Sequence, residues 1–400
     1  MAHHLQSVVC ATSRRPHLLN SNPNPSIPKH IGFEIELGNH LLDLETEEPD
    51  LAAAEALVDA HGRLTGGACL PAQNPSPSEF DGEGFRLYLD HHHAEICSPM
   101  VSSATGLVLA MRRARSMIGE CKLLAQRHVG PLRVHFNNTN RLGSAWAFHL
   151  NVLVTRQAFR RWAENQWGEL CAAWMPFLCT SPLLFGAGKL GAENNAPPCE
   201  FQLSQRADFI DRVVGLETVT SKSLINTRNE PLADESRFAR FHIICFDTCL
   251  CEFSGWLRFG VVQLLLALIE EGHPLPHLAL ADPIAAIRGV SRDAAMEQRL
   301  ALEDGTSMTA LEIQQTLAEA TALAVERGSA ASAVPEATGT VTRWLEILDD
   351  LRARRGRLAR RLDWCARLSV LREVRARLGE DSRALRVADL QFAEVGGAFE

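Results

Sequence analysis

Ile31-Gly32-Phe33-Glu34-Ile35-Glu36-Leu37 alternates apolar with acidic residues, the period of a β-strand. One face carries Glu34 and Glu36, the other Phe33, Ile35 and Leu37. Two acids side by side on a strand face repel unless water or a cation compensates them. Working outward, Arg86-Leu87-Tyr88-Leu89-Asp90 repeats the pattern, with Arg86, Tyr88 and Asp90 on one face. Val134 to Phe136 and Ala147 to Thr155 read as further strands, and His149 shares a face with Asn151. Phe241 to Phe246 reads as a buried strand, and Glu200 to Leu203 as a short one. Helical periodicity marks 51–60, 104–127 and the strongly apolar 257–270. Residues 292–327 predict a polar turn or hairpin followed by a helix, 329–339 a linker, and 343–378 helix. Strands and helices separated by long loops predict an α+β enzyme.

Residues 17–30 are polar and rich in proline, which cannot propagate a helix or a central strand. The organisation expected is a disordered tail over 1–30, a catalytic domain over 31–335 and a small C-terminal domain over 336–400. Gly62 to Gly84 is dense in Gly, Pro, Ser and Asn, and predicts a long lid or binding loop near the site entrance.

The 400 residues can bury a large core without disulfides or a structural metal. A hydrophobic fraction of 46% and a charged fraction of 22% are those of a soluble globular protein. The net charge of -8 speaks against a nucleic-acid partner, since duplex binding needs a basic field to release counterions. The 11 cysteines are scattered through apolar sequence, as reduced thiols are. Cys245, Cys249 and Cys251 read as small buried residues, because no second pair stands at metal-site spacing. No run of 18 apolar residues predicts a membrane span and no apolar core predicts a leader, so the expected location is cytoplasmic.

The chemistry concentrates on strand faces: Glu34 and Glu36; Tyr88, Asp90, His93 and Glu95; His149 and Asn151. Carboxylate oxygens suit hard cations such as magnesium. Zinc competes through His91-His92-His93, but consecutive strand residues alternate faces and cannot all reach one ion. Phe185-Gly186-Ala187-Gly188-Lys189 lacks P-loop spacing and reads as a turn. Arg206, Arg228, Arg240 and Arg258 stand near the ends of apolar segments, where a guanidinium can clamp phosphoryl oxygens or pair with a nearby acid.

Several separated motifs carry a family resemblance. IGFEIELG (31–38) resembles G-I-E-x-E-Y-G, and RLYLDHHHAEICSP (86–99) resembles R-L-Y-V-D-H-A-H-P-E-Y-S-T-P. Asn137-Asn138-Thr139 and 144–153 resemble N-N-T-D and S-Y-G-x-H-E-N-Y-L. The longest match runs from Phe201 to Ile244, followed by DPIAAIRGVSRD (282–293), RLDW (361–364) and DLQF (389–392). From residue 31 onward the chain resembles the family of the Pup ligase and its sister, the Pup deamidase and depupylase. Asp90-His91 and the run through Val214-Gly215-Leu216-Glu217-Thr218 lean toward the depupylase branch.

The resemblance implies a glutamine-synthetase-like antiparallel sheet cradle with packed helices and a small C-terminal domain. It implies ATP or ADP with magnesium as cofactors. Glu34, Glu36, Tyr88, Glu95, His149 and His242 take the metal positions, Asp90 that of the essential aspartate, and Arg206, Arg228, Arg240 and Asn138 nucleotide or phosphate positions. The implied partner is a Pup-like small protein or a peptide ending in Glu or Gln, with no nucleic acid or membrane. The implied reaction is hydrolysis of an amide or isopeptide on that Glu or Gln side chain. The alternatives are ligation of a carboxylate to an amine through an acyl phosphate, or an inactive nucleotide-binding homologue. Departures stand at Leu150 and Met100, where the pattern has glutamates, at Asn140 and Asn229, where it has aspartates, and at Leu37 and Ile96, where it has tyrosines. The loss of a carboxylate at Leu150 or Met100 is expected to remove a ligand.

Overall fold

The computed structural model describes residues 27–42, 49–66, 78–217, 221–228, 233–353 and 356–397. In chain order the elements are β1 (Ile31–Glu36), β2 (Gly38–Leu41), α1 (Leu51–Thr65), β3 (Ser78–Phe80), β4 (Arg86–Asp90), β5 (His93–Cys97), α2 (Ala104–Val129), β6 (Leu132–His135) and β7 (Phe148–Thr155). Then come α3 (Arg156–Glu164), α4 (Gly168–Cys171), α5 (Trp174–Thr180), α6 (Pro182–Phe185), β8 (Lys189–Leu190), β9 (Phe201–Gln202), β10 (Ile210–Gly215), β11 (Lys222–Asn226) and β12 (Phe238–Ile243). The last are α7 (Glu252–Glu271), α8 (Pro283–Arg292), β13 (Arg299–Ala301), β14 (Ser307–Thr309), α9 (Ala310–Glu326), α10 (Ala337–Arg352), α11 (Asp363–Leu378) and α12 (Ser382–Gln391).

Eight strands form one sheet in the order β10-β11-β12-β7-β1-β5-β4-β3, antiparallel except for the parallel pair β10 and β11. The alternation of β1 sets its two faces. Phe33, Ile35, Leu87, Ile96, Phe148, Leu150, Phe241 and Ile243 are buried on one, where α1, α2 and α7 pack. Each large apolar side chain so covered contributes about 1.5–3 kcal/mol. The other face carries Glu34, Glu36, Tyr88, Asp90, Glu95, His149 and His242, because alternating register puts every polar residue of these strands there.

Helix ends follow their local chemistry. Ser103 caps α2 by accepting the Gly106 N–H, and Asp282 caps α8, with Pro283 in the first turn. Thr309 and Glu312 form a capping box on α9, while Gly66 and Gly272 end α1 and α7 in left-handed backbone. Helix α7 is long and apolar enough to cross a membrane, yet it is buried almost throughout and forms the centre of the core.

Several boundaries differ from the sequence reading. The buried strand near residue 241 is Phe238–Ile243, not Phe241–Phe246; pairing with β7 from Phe238 onward selects that register. The expected linker over 329–339 holds a short 3-10 turn and the start of α10, whose Trp344 is fully buried. The 343–378 helix is two helices, α10 and α11, separated by a 3-10 turn, and Leu358 and Leu362 of the connection are buried in the core. The hydrophobic core runs across the proposed boundary near residue 335 and includes Leu348, Leu351 and Trp364. Helix α1 extends to Thr65 and β3 begins at Ser78, so both ends of the expected 62–84 loop are regular. Residues 67–77 of that loop, most of the tail over 1–30 and Asn229 lie outside the described residues.

The FGAGK turn is a packing device. A Cβ on Gly186 would overlap the Leu203 carbonyl oxygen and stand 2.8 Å from that of Pro182. Two backbone groups cannot yield as a side-chain tip can. Gly186→Ala is therefore expected to destabilise the fold by about 1–3 kcal/mol, checked by a shift in the denaturant midpoint at unchanged slope.

Candidate active site

Two clusters of ligand atoms stand side by side on the polar face. In the first, Glu34 on β1, His149 on β7 and His242 on β12 bring one carboxylate oxygen and two imidazole nitrogens within 4.8 Å of one another. His149 Nδ1 is 3.2 Å from Glu34 Oε2, and His242 Nε2 is 3.7 Å from the same oxygen. The two imidazoles meet edge to face with centroids 4.7 Å apart. In the second, oxygens of Glu36, Asp90 and Glu95 fall within 4.8 Å. Tyr88 donates its hydroxyl to Glu95 at 2.6 Å, and Glu36 accepts the Ala147 N–H.

Register explains both groupings. Glu34 pairs with His149 across β1 and β7, and Glu36 with Glu95 across β1 and β5. Glu95 in turn pairs with Tyr88 across β5 and β4. Asp90 ends β4 at the tip of the hairpin, half exposed, with His91 Nδ1 at 3.0 Å.

The electrostatics of the two clusters differ. Burial opposes the charge of Glu34, but the hydrogen bond with His149, the imidazoles of His242 and His149, and the Arg240 guanidinium outweigh it, so this carboxyl titrates below its usual range. Burial, followed by the charges of Glu34 and Glu36, pushes Glu95 well above the carboxylate range, against the hydrogen bond from Tyr88. Three carboxylates at such separation cannot all ionise without a compensating cation. A magnesium ion fits this donor set, because hard oxygens are its preferred ligands. The neighbouring carboxylate and two imidazoles can hold a second divalent ion.

A consequence can be measured on metal-free protein. A pKa raised by folding favours the native state fully below about pH 4.5, and that contribution is lost as pH rises through the folded value. Glu95→Gln is therefore expected to match wild-type stability near pH 4.5 and exceed it at pH 8 in EDTA. Added magnesium should then stabilise wild type more than the variant. Thermal melts across that pH range, with and without magnesium, check both.

The nucleotide-position residues fall differently. Arg240 lies 3.6 Å from Glu34 Oε1, and Arg228 is exposed just after β11. Arg206 is buried, with its guanidinium donating to the Trp146 carbonyl, and its charge lies near Glu36. Asn138 is buried, exchanging hydrogen bonds of 3.1 and 2.7 Å with Thr248. Arg258 stacks on Phe148 in the core. Among the described residues Cys245, Cys249 and Cys251 belong to no metal-ligand group.

The departures also resolve by face. Leu150 pairs with Phe33 and Ile243 and is buried on the core side, so the expected loss of a ligand there does not occur. Leu37 and Ile96 are buried in the same core. Asn140 accepts the Leu142 and Ser144 N–H groups and shapes a turn. Among the described departures Met100 reaches the polar face: a Cβ on Gly32 would stand 2.7 Å from its sulfur.

Lys222 and Asn226, on β11, were missed by the sequence reading. Burial and the nearby Arg206 charge bring the Lys222 ammonium down to about 8, while Glu36 opposes the shift. The only sequence signal for either residue was its place inside the longest motif.

A groove of about 670 Å³ opens where β7 ends, α3 begins and β12 starts, lined by Thr155, Arg156, Arg160, Arg161, Arg237 and Phe238 among others. Thr155 and Phe238 are cross-strand partners on the polar face. Leu153, Arg240, Asn151 and His242 continue the strip to the clusters, roughly 20 Å away at ~3.3 Å per strand residue. Glu164 also lines the groove, Arg161 pairs with Glu169 at 2.9 Å, and the Arg156 guanidinium donates to the Glu235 and Phe238 carbonyls.

The family model described as Pup-ligase protein matches residues 32–398. The Pup deamidase/depupylase of Mycolicibacterium smegmatis is 34% identical over 320 residues, covering 78% of this chain and 61% of its own length. The chain thus spans less than two thirds of that relative. A crystal structure of Pup in complex with its ligase PafA superposes with a TM-score of 0.77 at 27% identity, covering 93% of this chain and 75% of that one. The Pup ligase PafA in complex with ADP superposes with a TM-score of 0.69 at 28% identity, covering 80% and 72%.

Proposed function

This chain belongs to the Pup-ligase family, and from that premise we propose that it is a magnesium-nucleotide-dependent enzyme acting at the γ-carbonyl of a Glu or Gln that ends a Pup-like partner. The observation that carries the reading is the pair of clusters on one sheet face, three carboxylates beside a carboxylate and two imidazoles, with Asp90 at their exposed edge. Glutamine-synthetase-like architecture accords with a largely antiparallel sheet backed by helices. Ligation is the direction named by the family description and by the two superposed structures described above. Hydrolysis is the second reading, favoured by the Asp90-His91 motif and the depupylase relative.

Glu36 and Glu95, with Glu34 and the imidazoles beside them, would hold magnesium, and Tyr88 orients the Glu95 carboxylate. Bound there, a magnesium nucleotide supplies a phosphoryl group and charge neutralisation at the reacting carbonyl. Asp90 presents an accessible carboxyl group at the hairpin tip, placed to take the proton of an incoming amine or to attack an amide carbonyl. The buried walls on β1 and β5 keep the acids fixed, so little reorganisation accompanies the reaction. Arg160 and Arg237 suit an acidic segment of the partner, whose tail would run along β7 and β12 to the site.

Incubation with magnesium, ATP, a Pup-like protein ending in Glu or Gln and a lysine-bearing acceptor, read by intact mass, tests this. Conjugate formation supports ligation. Conversion of the terminal amide to an acid supports hydrolysis, and neither product from either ending sinks the proposal.

A further inference from the structure

Glu36 is the last residue of β1, and the ladder between β1 and β7 ends one residue earlier, at Ile35 and Phe148. Strand ends open more readily than strand centres, yet this side chain is held. Glu36 Oε2 accepts the Ala147 N–H, and the Glu36 N–H donates to the Ala147 carbonyl at 3.1 Å. The other end of the same peptide group, the Trp146 carbonyl oxygen, accepts the Arg206 guanidinium and, at 3.4 Å, Asn138 Nδ2. Donors on the carbonyl strengthen the bond made by the N–H, because hydrogen bonds in a buried chain polarise one another.

The support continues behind that peptide. Trp146 N–H donates to the Asn138 carbonyl at 3.2 Å. Asn138 N–H donates to Gln205 Oε1 at 2.6 Å, while Gln205 Nε2 donates to Asn137 Oδ1 at 3.2 Å and to the Gly188 carbonyl at 2.9 Å. Asn137 Oδ1 also accepts the Arg367 guanidinium at 2.9 Å, and Arg367 pairs with Asp389 at 3.0 Å. Asn137, Asn138, Gln205, Arg367 and Asp389 are each exposed by 1% or less. The 137–139, 201–244 and 389–392 motifs therefore meet in one buried network behind a single carboxylate.

We propose that Asn138 and Gln205 are positioning residues for Glu36: they fix the Trp146–Ala147 peptide, whose N–H engages Oε2 and leaves Oε1 to the cation. This rests on the reading of Glu36, with Asp90 and Glu95, as a magnesium site. Asn138 acts on the peptide directly, and Gln205 acts by holding the Asn138 main chain. A glutamate ordered before the ion arrives loses little rotamer freedom on binding it, so the network raises magnesium affinity without touching the ion.

The test titrates magnesium into the nucleotide-free full chain by calorimetry, for wild type, Asn138→Leu, Gln205→Met and Glu36→Gln, alone and combined. The first two substitutions stay near the original volume and add no charge that would act on the ion. Each is expected to weaken magnesium about three- to tenfold, the worth of one hydrogen bond, while ATP affinity at saturating magnesium changes less than about twofold. In the Glu36→Gln background either one should change magnesium affinity no further, because the side chain to be positioned has gone. Gln205→Met carries the test should the Asn138 variant fail to fold. Unchanged magnesium affinity, or a loss that persists in full beside Glu36→Gln, overturns the proposal. A loss of ATP affinity at saturating magnesium would make Asn138 a nucleotide contact and overturns it too. Turnover of wild type is followed in parallel by intact mass: magnesium shifts of the expected size in a chain that forms no product sink the functional reading and leave the positioning role standing.

Discussion

Asp90→Asn is expected to lower turnover by ~10²-fold or more while nucleotide affinity stays within a few-fold of wild type, because the amide keeps the shape and loses the anion that attacks or deprotonates. The site makes this separable. Asp90 is the exposed member of its cluster, whereas Glu95 is buried and fixed by Tyr88. A residue that only held metal would weaken magnesium and nucleotide binding together. Calorimetry of ATP binding across a magnesium series, paired with product-resolved mass analysis, distinguishes the two. Retention of more than about a tenth of the wild-type rate would remove Asp90 from the chemistry. A joint loss of magnesium affinity and rate would make it a ligand instead.

Lys29→Met is expected to cost about 3–5 kcal/mol of stability, the largest thermodynamic effect foreseen for a single change outside the site. Lys29 Nζ pairs with Glu270 near the end of α7, and both are nearly inaccessible. Glu270 also accepts the Thr155 N–H at 2.6 Å, and Gln263 donates to the Lys29 carbonyl at 2.7 Å. The residues just before β1 are thereby fastened to the core helix, where β7 ends. Burial lowers the Lys29 pKa despite the Glu270 charge, so the ion pair is held against a desolvation cost. Removing the lysine leaves a buried carboxylate alone. The double variant Lys29→Met with Glu270→Leu should recover much of the loss, since replacing both partners by apolar groups is often close to neutral. Denaturant melts of the two single variants and the double variant give the coupling directly. A single-variant cost below about 1 kcal/mol would reduce the pair to the worth of a surface bridge.

Strand alternation made much of the site legible before any coordinates. The acids of β1, the Tyr88 and Asp90 face of β4 and the His149 and Asn151 face of β7 follow from a period of two that no tertiary contact needs to impose. The apolar stripe of α2, the core character of α7 and the hairpin before α9 were similarly local. Pairing was not local. That Glu34 meets His149 and His242, while Glu36 meets Asp90 and Glu95, depends on β1 lying between β5 and β7 and on β12 lying beside β7, an arrangement set by which strands share the helices beneath them.

Motif comparison alone misjudged residues whose face it did not consider. Leu150 looked like a lost ligand, and its register with Phe33 and Ile243 places it in the core. Asn226 gave no signal of its own, because its level with His242 and Asn151 is set by strand pairing. The sequence by itself determined which residues share a strand face, since that is a property of backbone geometry within a few residues. Only the tertiary structure decided which faces meet and which charges are buried, because those follow from contacts between segments far apart in the chain.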